Sequence, residues 1–166
     1  MRVLGVDPGS RITGLAIVES SRDGLRSLFY HSVRLKDASL ALRLGTIYQS
    51  VEQVIREYNP DIVAVEQVFI SKNAKSALVL GHARGGAICS AVNSGCEVAE
   101  YSAKQIKQAV VGSGGASKDQ VQHMVRVLLG LRTQPGADAA DALACAICHI
   151  HTAQVESRLQ NAASIQ

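Results

Sequence analysis

Apolar residues recur along this chain in two periods, and the points where one period gives way to the other divide it into elements. Val3-Leu4-Gly5-Val6 is free of charge and stops at Asp7 before Pro8-Gly9, which suits a buried central strand running into a turn. Thr13 to Ser20 and Leu25 to Leu35 read as two more strands, split by the polar break Ser21-Arg22-Asp23-Gly24, so the chain should open as an antiparallel meander. Leu40, Leu44, Ile47, Val51, Val54, Ile55 and Tyr58 then recur at helical spacing, and Asn59-Pro60 should end that helix. Asp61 to Glu66 has an apolar interior and again finishes on a carboxylate. A helix is expected over about Ala74 to Val92; its small residues Gly81, Ala83, Gly85, Gly86 and Ala87 would allow close approach to a neighbour, a second copy of the chain among the candidates. Cys96 to Tyr101 is a fifth strand.

Two capping-box patterns follow, Ser102-x-x-Gln105 and Ser117-x-x-Gln120, each opening an amphipathic stretch, with the glycine loop 112–115 expected to be flexible between them. Pro135-Gly136 leads into an alanine-rich helix over Ala137 to His151, with Asp138 and Asp141 in its first turn. The order predicts an α/β fold: a mixed five-stranded sheet flanked by helices, as one domain over residues 1–152. From Thr152 the chain turns polar, and residues 153–166 are expected to form a mobile tail.

Composition narrows the function classes. The 166 residues are 47% hydrophobic and 19% charged, without a low-complexity run or internal repeat, which argues against disorder and against a solenoid. No apolar stretch approaches the roughly 20 residues that span a bilayer, and an acidic residue comes too early for a secretory signal, so no membrane association and a cytoplasmic location are expected. The four cysteines have apolar neighbours and read as buried thiols; Cys145 and Cys148 have C-x-x-C spacing but lie in a helical pattern with no second pair to complete a zinc site. His82, His123, His149 and His151 show no ligand spacing with the carboxylates and read as packing or surface residues. The net charge of +3 says little, but residues 67–137 hold eight basic residues against three acidic ones, enough for a polyanion to lie across them. Ordinary solvated lysines would give the same count.

The carboxylates carry the chemistry. If the strands ending at Asp7 and Glu66 are adjacent and parallel, both side chains leave the same sheet edge. Asp138 and Asp141, three residues apart, share a helix face. Four such groups at one edge would repel one another until some were protonated, a conflict that a divalent cation removes. Oxygen ligands favour Mg²⁺, with Mn²⁺ able to substitute. Two ions about 4 Å apart would activate water and stabilise the leaving oxygen of a phosphodiester. Taken separately, Asp138 and Asp141 could merely favour a helix N-terminus, and Asp7 could be a turn former.

These residues also carry a resemblance. Asp7-Pro8-Gly9-Ser10-Arg11-x-Thr13-Gly14, Glu66-Gln67-Val68-Phe69, Lys72-Asn73-Ala74, Gly81-x-Ala83-Arg84-Gly85 and Asp138-Ala139-Ala140-Asp141-Ala142-Leu143-Ala144 resemble, in order and from about residue 2 to 151, the RuvC family of crossover junction endodeoxyribonucleases. The resemblance implies a ribonuclease H-like fold and a dimeric, Mg²⁺-dependent resolvase of Holliday junctions. Such an enzyme nicks two strands of like polarity at symmetric positions, leaving 5′-phosphate and 3′-hydroxyl ends. By motif position it implies that Asp7, Glu66, Asp138 and Asp141 are catalytic metal ligands, that Phe69 stacks on a base near the junction centre, and that Lys107 and Lys118 hold phosphates near the cut. It also implies a junction-binding protein and a branch-migration motor as partners. The tail carries no matching block. Apart from the resemblance, Phe69 could equally be a staple on the following helix, and the two lysines are set apart only by their place around the glycine loop.

Two other classes compete. Asp-x-Gly after a first strand also resembles the phosphate-binding turn of actin-like phosphotransferases, although those need two such domains. A non-catalytic junction-binding module, its acidic cluster merely structural, is the other alternative.

Overall fold

A computed structural model describes residues 1–36, 39–67 and 74–163 of the chain. Five strands, β1 (Arg2–Asp7), β2 (Ile12–Ser21), β3 (Gly24–Arg34), β4 (Ile62–Glu66) and β5 (Glu97–Tyr101), form one sheet in the order β3-β2-β1-β4-β5. β1 pairs antiparallel with β2 and parallel with β4, and β5 continues the parallel half. The sheet is therefore mixed, and the expected opening meander is present. The charge-free runs are central because their backbone and both faces are covered: Val3, Leu4, Val6, Val63, Ala64 and Val65 are wholly buried.

Alternation along β1 sorts its side chains into two cores. Leu4 and Val6 pack with Val63, Val65, Ile47, Val51 and Ala87 beneath helices α1 (Leu40–Tyr58) and α2 (Ala74–Asn93). Val3 packs with Ala16, Val18 and Ala64 on the opposite face, against α3 (Ala103–Val111), α4 (Lys118–Leu128) and α5 (Ala137–Ala163). Asn59 ends α1 in the left-handed conformation at φ 45°, its N–H donating to Ile55 O, and Pro60 cannot continue the helix.

α5 is the main element of the second core, with ten of its residues buried between Ala139 and Ile150. It lies almost against the backbone of the sheet because two strand glycines make room. A Cβ on Gly5 would run into Ala142 O and come within 2.9 Å of Ala146 N. One on Gly14 would meet Asp138 O and lie 3.2 Å from Ala142 Cβ.

Several expectations are modified. α5 runs to Ala163 and does not end near His151, since nothing from Thr152 onward breaks a helix, while Val155 and Leu159 stand exposed on the extension. Of the four cysteines only Cys145 and Cys148 are buried; Cys96 is partly covered and Cys89 is exposed on the outer side of α2, where Ala83, Ala87 and Ala91 take the inward positions. The glycine loop is tied at two points by Gln108, which donates to Gly112 O at 2.8 Å and accepts from Gly114 N at 3.0 Å.

Candidate active site

Pairing register and strand alternation together fix where the acidic residues go. Val6 pairs with Val65, so Asp7 and Glu66, one position on, leave neighbouring strand ends side by side. Both share the parity of Val3, Gly5 and Ala64, which face α5. There α5 brings Asp138 from its first turn and Asp141 from the start of its second. The result is a cavity of about 400 Å³ lined by Asp7, Glu66, Asp138, Asp141, Lys107 and Lys118. Six of the seven residues singled out in the sequence therefore meet in one place. Phe69 lies outside the described residues, as does Lys72.

The two lysines arrive through the capping boxes. Ser102 Oγ accepts from Gln105 N at 3.3 Å and Ser117 Oγ from Gln120 N at 3.2 Å, with each glutamine side chain returning to its cap's backbone N–H. α3 thus begins in register to place Lys107 a turn along, and α4 places Lys118 at its first position. A lysine there opposes the helix dipole. Its compensation is acidic: Lys118 Nζ lies 3.4 Å from Asp141 Oδ2 while the side chain stays largely in solvent.

The electrostatics are those of crowded acids. Burial, then Glu66, Asp141 and Asp138, push the Asp7 carboxyl up to about 7, with Lys118 opposing. Burial followed by Asp141 raises Glu66, against Lys118 and Lys107. Asp141 is also raised by burial, although Lys118 pulls it down. The Lys118 ammonium is held above its usual range, first by Asp141. One excess positive charge would relieve all of these shifts together.

A hard divalent cation suits this oxygen-only donor set. Among the described residues, no group of three or more acidic, histidine or cysteine side chains stands close enough to hold an ion by itself. The four carboxylates instead share a cavity wall, which matches the way Mg²⁺ is held: by a few carboxylates, with water and substrate oxygens completing the shell. Cys145 and Cys148 stay outside this chemistry, since burial holds both thiols up, Cys148 to about 11, and no disulfide joins them. The histidines do not enter the cavity lining: His149 Nδ1 meets Tyr101 Oη at 2.8 Å, and His151 Nδ1 meets Ala109 O at 3.0 Å.

Sequence reasoning missed several contributors. Gln67, Leu80, Ala103, Ile106 and Val121 also line the cavity, and only the tertiary fold reveals that. Gly5 and Gly14 did leave a signal, since a glycine inside an otherwise apolar strand marks a close backbone approach.

Comparison with known proteins gives likeness in sequence and in fold. A sequence model of the family described as Crossover junction endodeoxyribonuclease RuvC matches residues 3–149. The crossover junction endodeoxyribonuclease RuvC of Marinobacter nauticus is 55% identical over 157 residues, covering 95% of this chain and 90% of that one. The structure of Thermus thermophilus RuvC superimposes with a TM-score of 0.86 at 34% identity, covering 94% of this chain and 97% of that one. The same protein in complex with a Holliday junction substrate gives 0.88 at 35% identity, with coverage of 94% and 96%.

Proposed function

Since the chain belongs to the RuvC family of crossover junction endodeoxyribonucleases, we propose that its acidic cavity cuts four-way DNA junctions by hydrolysing phosphodiesters with the help of divalent cations. The fold is ribonuclease H-like and the protein is a junction endodeoxyribonuclease. The actin-like phosphotransferase reading is not favoured, because the turn at Asp7-Pro8-Gly9 falls within the family match and not in a nucleotide-binding pair of domains. The observation that carries the proposal is the meeting of carboxylates from three distant stretches of chain, flanked by Lys107 and Lys118, in one cavity.

Asp7, Glu66, Asp138 and Asp141 would hold Mg²⁺ or Mn²⁺, two ions per site. When bound, these ions supply an activated water and charge stabilisation for the leaving 3′-oxygen, so the cut leaves 5′-phosphate and 3′-hydroxyl ends. The chain's own groups hold and orient. The ion pair to Asp141 keeps Lys118 beside the carboxylates, where its ammonium would meet a phosphate entering the cavity. Lys107 on α3 offers a second cationic contact from the same rim. Phe69, just after Glu66 in sequence, would stack on a base near the junction centre, with about 1–3 kcal/mol available from such stacking.

Paired symmetric nicks in strands of like polarity require two sites related by a twofold axis, and a homodimer supplies them. Leu78 and Val92 on the outer side of α2 are 62% and 61% exposed, and a Cβ on Gly81 or Gly85 would meet nothing within 4 Å. That face suits a close-packed copy of itself. A junction-binding protein and a branch-migration motor complete the proposed partners. No helix among the described residues is long and apolar enough to cross a membrane, and the proposed setting is the cytoplasm.

Incubation with a four-way DNA junction, a linear duplex of the same sequence and a structured RNA tests the function. Mg²⁺-dependent, symmetric cutting of the junction in preference to the other two is expected. Equal cutting of linear duplex, ATP hydrolysis without DNA cleavage, or binding without cutting in any divalent cation would each contradict it.

A further inference from the structure

At the sheet edge that carries the carboxylates, the meander side holds a second group of cations distinct from Lys107 and Lys118. β3 ends at Arg34, which pairs with Ile12 at the start of β2, and Asp7 pairs with Gly14 two positions further along. Opposed residues of antiparallel strands share a face, and Gly14 faces α5, so Arg34 projects on the carboxylate side of the sheet. Arg11 lies in the turn that returns from Asp7, and Leu35 N donates to Arg11 O at 2.8 Å, which joins that turn to the end of β3 and sets Arg11 opposite Leu35, at the rim of the sheet on the side of α1 and α2. Lys36 follows. All three residues are exposed, and no hydrogen bond or ion pair engages their side chains among the described residues.

The turn beneath them is fixed. Arg43 reaches from α1 to donate to Ser10 O at 2.7 Å, and Thr13 Oγ1 bridges the N–H and carbonyl of Gly9 at 3.4 and 3.3 Å. A rigid support holding guanidinium groups without a partner among the described residues is an arrangement suited to phosphate recognition. Charges on an edge strand also discourage edge-to-edge pairing, but Arg11 belongs to the turn and not to β3. The acid nearest in sequence, Asp37, lies outside the described residues.

We propose that Arg11, Arg34 and Lys36 form a contact surface for the phosphate backbone of the duplex arm that leaves the cut site on the meander side. This rests on the junction-nuclease reading above. β3 is two strand spacings from β1, about 10 Å, which equals the rise of about three nucleotides along one strand of a duplex. A strand whose scissile phosphate sits over the carboxylates would then meet Lys107 and Lys118 on one side and these three cations on the other. The surface holds the arm by charge and reads no base.

The test measures binding of a synthetic immobile junction by fluorescence anisotropy in EDTA at several salt concentrations, and single-turnover cutting in Mg²⁺ at saturating protein. Arg11→Ala and the double variant Arg34→Ala/Lys36→Ala should each raise Kd by about threefold or more and lower the slope of log K against log salt by about one unit per cation removed. The saturated cutting rate should stay within about twofold of the parent. Arg34→Lys should restore the slope, which a purely structural role would not require. Unchanged Kd and slope in variants of parental thermal stability would overturn the surface, as would a collapse of the saturated rate with Kd unchanged. A parent protein that neither binds nor cuts the junction would overturn the nuclease reading itself; a normal parent with indifferent variants overturns only this surface.

Discussion

In the metal-free protein the Asp7 carboxyl sits near neutrality, pushed up to about 7 by burial and by its acidic neighbours, and that has consequences for stability as well as activity. Its folded value lies above its ordinary one of 3.8. The folded state therefore holds the proton more tightly than the unfolded chain, and the stability Asp7 contributes is complete below about pH 4 and lost as pH rises through about 7. Glu66 and Asp141 shift in the same direction. Thermal melting in EDTA should consequently show lower stability at pH 8 than at pH 5.5. Mg²⁺ should recover more at pH 8, where protons no longer compete for the carboxylates. A metal effect that is equal at both pH values would show that the carboxylates are not its seat.

Asp7→Asn removes the strained charge while keeping the shape. Cutting should fall by at least about a thousandfold, junction binding should remain nearly intact, and metal-free stability at pH 8 should rise by about 2 kcal/mol, allowing for solvent screening of a half-buried group. A variant that loses folding and binding together would instead make Asp7 structural. Asp7 and Glu66 stood out in the sequence because each ends a run with no other charge. Their upward shifts did not, since burial beneath α5 and the approach of Asp138 and Asp141 exist only in the folded chain.

Among the elements, α5 is decisive, because it supplies two of the four acids and is positioned by contact with the backbone of β1 and β2. Gly14→Ala would drive a methyl into the Asp138 carbonyl, and backbone on both sides leaves little room to yield. Such overpacking costs about 1–3 kcal/mol. Cutting is expected to fall further than the stability loss explains, because the helix turn displaced is the one carrying the carboxylates. Calorimetry and single-turnover rates on the same preparation check this, and a rate that stays normal in a destabilised variant would separate the glycine from the site. The capping boxes made α3 and α4 legible from sequence because their signals are local, four residues each. The far end of α5 was not legible, since polar residues suit a helix and a solvated coil equally. Residues 154–163 form exposed helix, and we propose that the chain from residue 153 onward acts as a separable tail. Deleting residues 155–166 should leave the melting temperature within a few degrees of the parent's, whereas a fall of ten degrees or more would assign it to the core.

For the whole molecule, the opening meander and the mixed five-stranded sheet flanked by helices are as expected from alternation, whereas the full strand order, with β5 beside β4, comes from the structure. What stayed hidden was convergence: which apolar residues complete the cavity, and which basic residues from the 19% of charged positions gather at its edge, depend on register and crossing geometry that no local pattern encodes. The central claim is that one cavity gathers carboxylates from three stretches of chain around shared divalent ions. Anomalous diffraction from Mn²⁺ in crystals of the protein with a cleavage-resistant junction tests it most directly. Strong peaks are expected between Asp7, Glu66 and the Asp138 and Asp141 pair, in contact with a junction phosphate. Well-ordered junction DNA with no manganese in that cavity, or manganese held elsewhere on the chain beside the scissile phosphate, would contradict it.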